Sequence, residues 1–186
     1  MPYYIGLDQA LNNTGIAVTN GKRIVTTQII NTSKQSSLER LELIEQSLTK
    51  LFMTLKPKMV FMESIYIPAS RLKSCSALIR VEACVQLLLR RRSIEFESLP
   101  ASPRLKTSWP KQLGIAGSKD HCVQFLKPIL PKGKISDHET DAIGILWGGL
   151  VLKGLFTPDA IMGAEILKVN ARKYKSSPEC IRDCFI

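Results

Sequence analysis

Residues 3–30 read YYIGLDQALNNTGIAVTNGKRIVTTQII, and this stretch decides the fold. Its three apolar segments, YYIGLD, GIAVTN and RIVTTQII, are separated by NNTG and NGK, whose Asn and Gly residues are typical of tight turns. The stretch predicts three antiparallel strands joined as a meander. The first strand ends on Asp8, and a carboxylate at the end of a buried strand must be solvated, paired or bound to a metal.

Helices and strands alternate after the meander. SSLERLELIEQSLTKLFMTL, residues 36–55, carries Leu and Ile at three- and four-residue steps behind a serine cap and predicts an amphipathic helix. MVFME, residues 59–63, is too short for a helix and predicts a buried strand ending on a second acid, Glu63. A helix that ends in three arginines, a fifth strand, IEFESL, and a last helix behind Ser136 complete an α/β protein with a single sheet.

The chain has 186 residues, 45% of them hydrophobic, which suffices for one core. We expect one domain over residues 1–154 and a partly helical or flexible extension over residues 155–186. No apolar run approaches the ~18 residues of a membrane span, and no signal sequence is visible. We therefore expect a cytoplasmic protein and not a membrane protein. Five cysteines without a CxxC pair favour free thiols over disulfides or zinc.

The charge distribution suggests a polyanionic partner. The net charge is +10, and residues 71–135 hold thirteen Lys and Arg against four acids, whereas residues 136–150 hold three acids and neither Lys nor Arg. A basic block beside an acidic cluster is typical of nucleases, because cations collect phosphates and carboxylates hold a metal. Acidic membranes and other polyanions are the alternative partners for the basic charge.

The acids fall where an active site is expected. Ligand sites in α/β sheets lie beyond the carboxyl ends of the strands, so Asp8 and Glu63 would meet there if their strands are neighbours. SDHETD, residues 136–141, begins the last helix and places Asp137 or His138 on one face with Asp141. Oxygen-rich clusters bind Mg²⁺ or Mn²⁺, and two such ions ~3.5–4 Å apart can activate water against a phosphodiester.

Each acid also has a simpler structural interpretation. Asp8 could cap a turn, Glu63 could be an exposed acid on an edge strand, and Asp137 could serve the helix dipole. His138 could be an ordinary surface histidine. Ser136 and Glu139 match a capping box, so we expect Glu139 to bind backbone amides and not to be a metal ligand.

The motifs resemble those of the RuvC-type Holliday-junction resolvases of the ribonuclease H-like superfamily. IGLDQALNNTG is similar to the first motif, FMESIY to the second and DHETDAIGI to the last, in order over about residues 3–150. The resemblance implies a ribonuclease H-like fold, with a single mixed five-stranded sheet flanked by helices. It also implies a homodimeric endodeoxyribonuclease that uses Mg²⁺ or Mn²⁺ to nick two strands of a four-way DNA junction.

The resemblance assigns residues as well. Asp8, Glu63 and Asp141 match catalytic metal-binding acids, and His138 takes the fourth position, where many members have Asp and some have His. His138 would therefore either ligate the metal or accept a proton from water. Tyr66 corresponds to an aromatic residue that stacks on a base, which is worth ~1–3 kcal/mol. The predicted DNA-binding residues are Tyr66, Arg71, Lys73, Lys106, Lys111 and Lys119.

Other functions stay open at this point. A ribonuclease H-like nuclease acting on RNA or an RNA–DNA hybrid has similar motifs, as does a catalytically inactive junction-binding protein. A nucleotide-binding protein of the sugar-kinase or actin type is disfavoured, because the chain lacks a second lobe and further Gly-rich loops. The helix at residues 72–91 could supply the dimer face that paired nicking needs, or simply pack on the sheet. The small size would suit a bacteriophage or mobile-element member in the bacterial cytoplasm.

Overall fold

The structure, a computed structural model, describes residues 1–21, 24–65, 72–100 and 136–155. The predicted elements are present within these ranges. Residues 101–135, which hold part of the basic block, lie outside them, as does nearly all of the C-terminal extension. The strands are β1 (Tyr4–Asp8), β2 (Asn13–Thr19), β3 (Ile24–Asn31), β4 (Met59–Ser64) and β5 (Glu95–Pro100), and the helices are α1 (Ser37–Leu55), α2 (Leu72–Arg91) and α3 (Asp137–Leu152).

The strands form one mixed sheet in the order β3-β2-β1-β4-β5. β1 pairs antiparallel with β2, and β2 with β3, which confirms the predicted meander. β4 runs parallel to both β1 and β5. Since β1 and β4 are parallel neighbours, their carboxyl ends, with Asp8 and Glu63, lie at the same edge of the sheet. β4 is an inner strand, so Glu63 is not the edge-strand acid of the simpler interpretation.

One face of the sheet packs against α1 and α2. Successive side chains of a strand point to opposite faces, and Ile5, Leu7, Val60 and Met62 point into the core shared with these helices. Ser36 is the N-cap of α1, as predicted, and it forms a capping box that was not predicted, in which the Glu39 side chain accepts from the Ser36 backbone amide. The helical residues buried in this core are Ile44, Leu48, Phe52, Val81, Val85, Leu88 and Leu89.

α3 covers the opposite face. Gly6 of β1 permits its close approach, because a Cβ at Gly6 would overlap the Ala142 carbonyl oxygen and the Leu146 side chain. Further along α3, Gly149 lies against the ring of Phe61 on β4. Buried apolar residues make up most of α3. Neither α3 nor any other helix in the described ranges is long and apolar enough to cross a membrane.

The described cysteines, Cys75 and Cys84, both lie in α2 and are free thiols, as predicted. Burial raises the pKa of the Cys84 thiol, because the thiolate would lose hydration, and the nearby Glu45 carboxylate raises the pKa further. A thiol whose ionisation is disfavoured is a poor nucleophile and a poor metal ligand.

Candidate active site

Asp8 and His138 form the centre of the candidate site. Asp8 is the last residue of β1 and only 6% exposed, and its Oδ2 lies 2.9 Å from His138 Nδ1. An ionised carboxylate only accepts hydrogen bonds, so Nδ1–H donates and Nε2 becomes the nitrogen that can bind a metal or a proton. This pairing of a buried strand-end acid with a histidine explains why an apolar strand can end on a charge.

The local backbone brings these two side chains together. Asp8 is paired across the β1–β2 ladder with Gly15. A Cβ at Gly15 would overlap the carbonyl group of His138, so only glycine lets the first turn of α3 settle on β2 at this point. The glycine of the NNTG segment thus serves close packing, in addition to following a turn.

Asp141 and Glu63 belong to the elements next to this pair, α3 and β4. Asp141 is 7% exposed and follows His138 by three residues in α3, which puts both on one side of the helix. Glu63 is half-buried at the end of β4. Its side chain belongs to the same face of the sheet as Phe61, which packs on α3. β1, β4 and the start of α3 thus carry the four predicted residues at one end of the sheet, where Asp8 contacts His138 directly. Their joint catalytic role stays a prediction.

The donor set suits a hard divalent cation. Three carboxylates and one imidazole are ligands that Mg²⁺ and Mn²⁺ accept. Asp8 and Asp141 are both more than nine-tenths buried, and a buried carboxylate needs a positive charge or hydrogen-bond donors beside it. Within the described ranges, however, no three His, Cys, Asp or Glu side chains form a group already arranged to hold a metal ion. The residues present fit a divalent cation by the chemistry of their donor atoms.

Glu139 binds within the protein, as expected. Its carboxylate accepts hydrogen bonds from the Ser136 amide at 2.9 Å and the Ser136 hydroxyl at 3.0 Å, while that hydroxyl accepts from the Glu139 amide at 3.2 Å. A further bond was not predicted: the Thr27 hydroxyl of β3 donates to Glu139 Oε1 at 2.7 Å. The capping box therefore also ties the start of α3 to the sheet.

Gln9 is a residue beside the site that sequence reasoning missed. It is only 7% exposed, and its side-chain amide hydrogen-bonds in both directions with the backbone of Glu63. A long polar side chain directly after a buried strand was the one available signal. Its partner, 54 residues away, could not be identified from the sequence.

The predicted DNA-contacting residues are not described structurally, with one partial exception. The backbone of Lys73 belongs to α2, whereas the other five lie outside the described ranges. Their assignment stays a prediction. The five are Tyr66, Arg71, Lys106, Lys111 and Lys119.

Comparison with known proteins places the chain in a family. The family model described as Crossover junction endodeoxyribonuclease RuvC matches residues 4–146. A Thermus thermophilus RuvC in complex with Holliday junction substrate superposes with a TM-score of 0.62 at 15% identity, covering 78% of this chain and 90% of that one. Another T. thermophilus RuvC structure superposes with a TM-score of 0.60 at 16% identity, covering 82% and 96%.

A third solved structure has a similar fold. The yeast mitochondrial Holliday junction resolvase superposes with a TM-score of 0.52 at 15% identity, covering 77% of this chain and 75% of that one. No curated protein matches the chain. At these identities the structural likeness is one of fold, and it confirms the predicted ribonuclease H-like sheet. The family match spans most of the sequence, and the chain belongs to the RuvC family of crossover junction endodeoxyribonucleases.

Proposed function

We propose that this chain is a divalent-metal-dependent endonuclease that cuts paired strands of a four-way DNA junction, with Asp8, Glu63, His138 and Asp141 as its catalytic residues. Family membership confirms the predicted class of enzyme, a nuclease that resolves Holliday junctions. None of the comparisons favours the alternative substrates, RNA and RNA–DNA hybrids. The single observation that carries the choice of residues is the buried Asp8–His138 contact at the carboxyl end of β1.

The metal would be held by the carboxylates of Asp8, Glu63 and Asp141. When bound, Mg²⁺ or Mn²⁺ supplies Lewis-acid activation of the phosphodiester and of the attacking water. The protein contributes orientation: Asp8 fixes the His138 ring through Nδ1, which selects Nε2 as the atom that binds the metal or takes a proton from water. Burial of Asp8 and Asp141 excludes bulk water and strengthens their electrostatic effect on a cation.

Paired cutting requires two active sites, and α2 offers a surface for a second copy. Ile79 and Leu87 lie two turns apart on this helix with exposures of 39% and 53%, and the exposed Ala83 lies between them. An apolar stripe of this kind is costly to leave in water and suits a homodimer. Together with the basic block over residues 71–135, a dimer would present two cation-rich surfaces to the phosphates of a branched DNA. The expected cytoplasmic location and the role of residues 155–186 stay predictions.

Substitution of Asp8 by Asn tests the assignment. The variant keeps the size of the side chain and removes its charge, so we expect cleavage of a labelled four-way junction in Mg²⁺ to fall by roughly 10²–10³-fold, the scale seen when one preorganised electrostatic group is lost. Junction binding measured in EDTA should be unchanged or tighter, because a negative charge near the phosphates has been removed.

The matched control is Glu42→Gln, which neutralises an exposed acid on α1 and should leave cleavage unchanged. Flap, duplex and RNA–DNA hybrid substrates belong in the same gel. Normal cleavage by the Asp8→Asn variant would refute the site, and a preference of the unaltered protein for the hybrid would favour the alternative function.

A further inference from the structure

We propose that Gln9 is a positioning residue that sets the location of Glu63 relative to Asp8, and thereby the affinity of the site for a divalent cation. This inference rests on the proposed function, because it takes Asp8 and Glu63 as metal ligands. It concerns a residue that contributes no donor to the metal in the proposal.

β1 and β4, the strands that carry Asp8 and Glu63, stop pairing with each other at the site. The β1–β4 register runs from Tyr4–Met59 to Leu7–Met62 and stops there, although β4 goes on pairing with β5 through Ser64. Asp8 remains paired on its other side with Gly15. Beyond Leu7 and Met62, the β1–β4 ladder therefore no longer fixes the position of Glu63 relative to Asp8.

Gln9 bridges the ends of these two strands. The Glu63 backbone amide donates to Gln9 Oε1 at 3.3 Å, and Gln9 Nε2 donates to the Glu63 carbonyl. A primary amide is well suited to this role, because it offers a donor and an acceptor side by side, as a backbone peptide does. The Gln9 side chain thus replaces the missing ladder and attaches the Glu63 peptide to the residue next to Asp8.

The bridge is not needed to hold the turn that follows β1. The Thr14 hydroxyl donates to the Ala10 carbonyl at 2.9 Å, and the Thr32 amide donates to the Asn12 carbonyl at 2.9 Å. These contacts fix the turn against β2 and the end of β3. The bonds from Gln9 lead instead to β4, so their specific effect falls on the position of Glu63.

Burial makes the bridge stiff. Gln9 is 7% exposed, so water competes poorly for its side-chain amide, and removal of this buried amide would be costly. Residues that orient metal ligands typically change metal affinity or activity by about 10–100-fold when they are removed. We expect an effect of this kind on a site whose two acids come from different strands.

The test is a Mn²⁺ titration of the full-length protein without DNA, followed by electron paramagnetic resonance of the free ion. Gln9→Met keeps the length and apolar volume of the side chain and removes both hydrogen bonds. We expect its Kd for Mn²⁺ to rise at least roughly tenfold. Gln9→Asn shortens the side chain by one methylene and moves the amide away from Glu63, so it should also weaken Mn²⁺ binding. This variant is used for the test if Gln9→Met does not fold.

Two further variants separate the possible failures. Phe52→Leu alters the buried core below α1 and lowers thermal stability without touching the site, so it should bind Mn²⁺ like the unaltered protein. If Phe52→Leu weakens Mn²⁺ binding as much as Gln9→Met does, or if Gln9→Met binds normally, the positioning role is refuted. Asp8→Asn should abolish the tight binding. If it does not, the proposed site itself is wrong, whatever Gln9 does.

Discussion

The contact between His138 Nδ1 and Asp8 Oδ2 joins residues 130 positions apart and places an imidazole against a buried carboxylate. In the absence of a cation, the His138 ring can donate a hydrogen bond to the buried Asp8 carboxylate. An ionised carboxylate in place of His138 could not donate one. We therefore expect residue 138 to influence stability in addition to its proposed role in the chemistry. An aspartate at this position would repel Asp8 until a metal enters.

Replacement of His138 by Asp tests this dependence. We expect the variant to keep junction cleavage, since a carboxylate can also ligate the metal. In EDTA it should be less stable than the unaltered protein by about 1–3 kcal/mol, because a charge-assisted hydrogen bond is lost. Added Mg²⁺ should restore more stability to the variant than to the unaltered protein, which thermal melts with and without the ion will show. Complete inactivity would mean that the imidazole itself is required.

At the scale of the elements, the start of α3 is held to the sheet by Glu139. Its carboxylate connects the helix cap at Ser136 with Thr27 on β3, and Glu139 is only 9% exposed. Because His138 is the preceding residue, an anchor that stabilises the helix start also holds the candidate catalytic residues in place. Glu139 acts through structure and donates no charge to the metal in our proposal.

Substitution of Glu139 by Gln separates an anchor from a ligand. The Gln side chain has one acceptor oxygen in place of two, so it cannot accept hydrogen bonds from both Ser136 and Thr27 as Glu139 does. We expect the free energy of unfolding to fall by about 1–3 kcal/mol. Cleavage at a temperature where the variant is folded should remain within a few-fold of normal. Urea unfolding and the junction assay give the two values. A large loss of cleavage with unchanged stability would make Glu139 a ligand.

At the scale of the whole molecule, the dimer interface that we propose on α2 would allow two active sites to act together. Leu87 is 53% exposed, so Leu87→Lys should fold normally but place a charge in the apolar stripe of a dimer. We expect the Leu87→Lys variant to sediment with half the mass of the unaltered protein and to make single nicks in place of paired cuts. Leu38→Lys, at a 68% exposed leucine of α1, is the matched control and should stay dimeric. A dimer that survives Leu87→Lys would place the interface elsewhere.

The basic block is also a property of the whole molecule, because its thirteen cations extend over residues 71–135. If six or more of them contact phosphates, junction affinity should fall by about 10³-fold between 50 and 200 mM salt through counterion release. Fluorescence anisotropy in EDTA measures binding without cleavage. A flat salt response would contradict the assignment of this block to DNA binding.

Local patterns were enough for the elements and for the helix cap. Alternating and three- to four-residue apolar spacing predicted β1 to β5 and the helices between them, since each pattern reports on burial along a few consecutive residues. The role of Glu139 was likewise predictable, because its capping partner Ser136 is only three residues away. The motif order further allowed the family to be identified from the sequence, as the match over residues 4–146 confirms.

The order of strands and helices, the positions of the acids within them and the family were thus all accessible from the sequence. The contacts of Asp8 with His138, of Gln9 with the Glu63 backbone and of Thr27 with Glu139 became visible in the folded protein alone. These contacts depend on strand pairing and on the docking of α3, which bring together residues separated by 54 to 130 positions. No pattern of neighbouring residues encodes such a distance, because it results from the packing of the complete sheet.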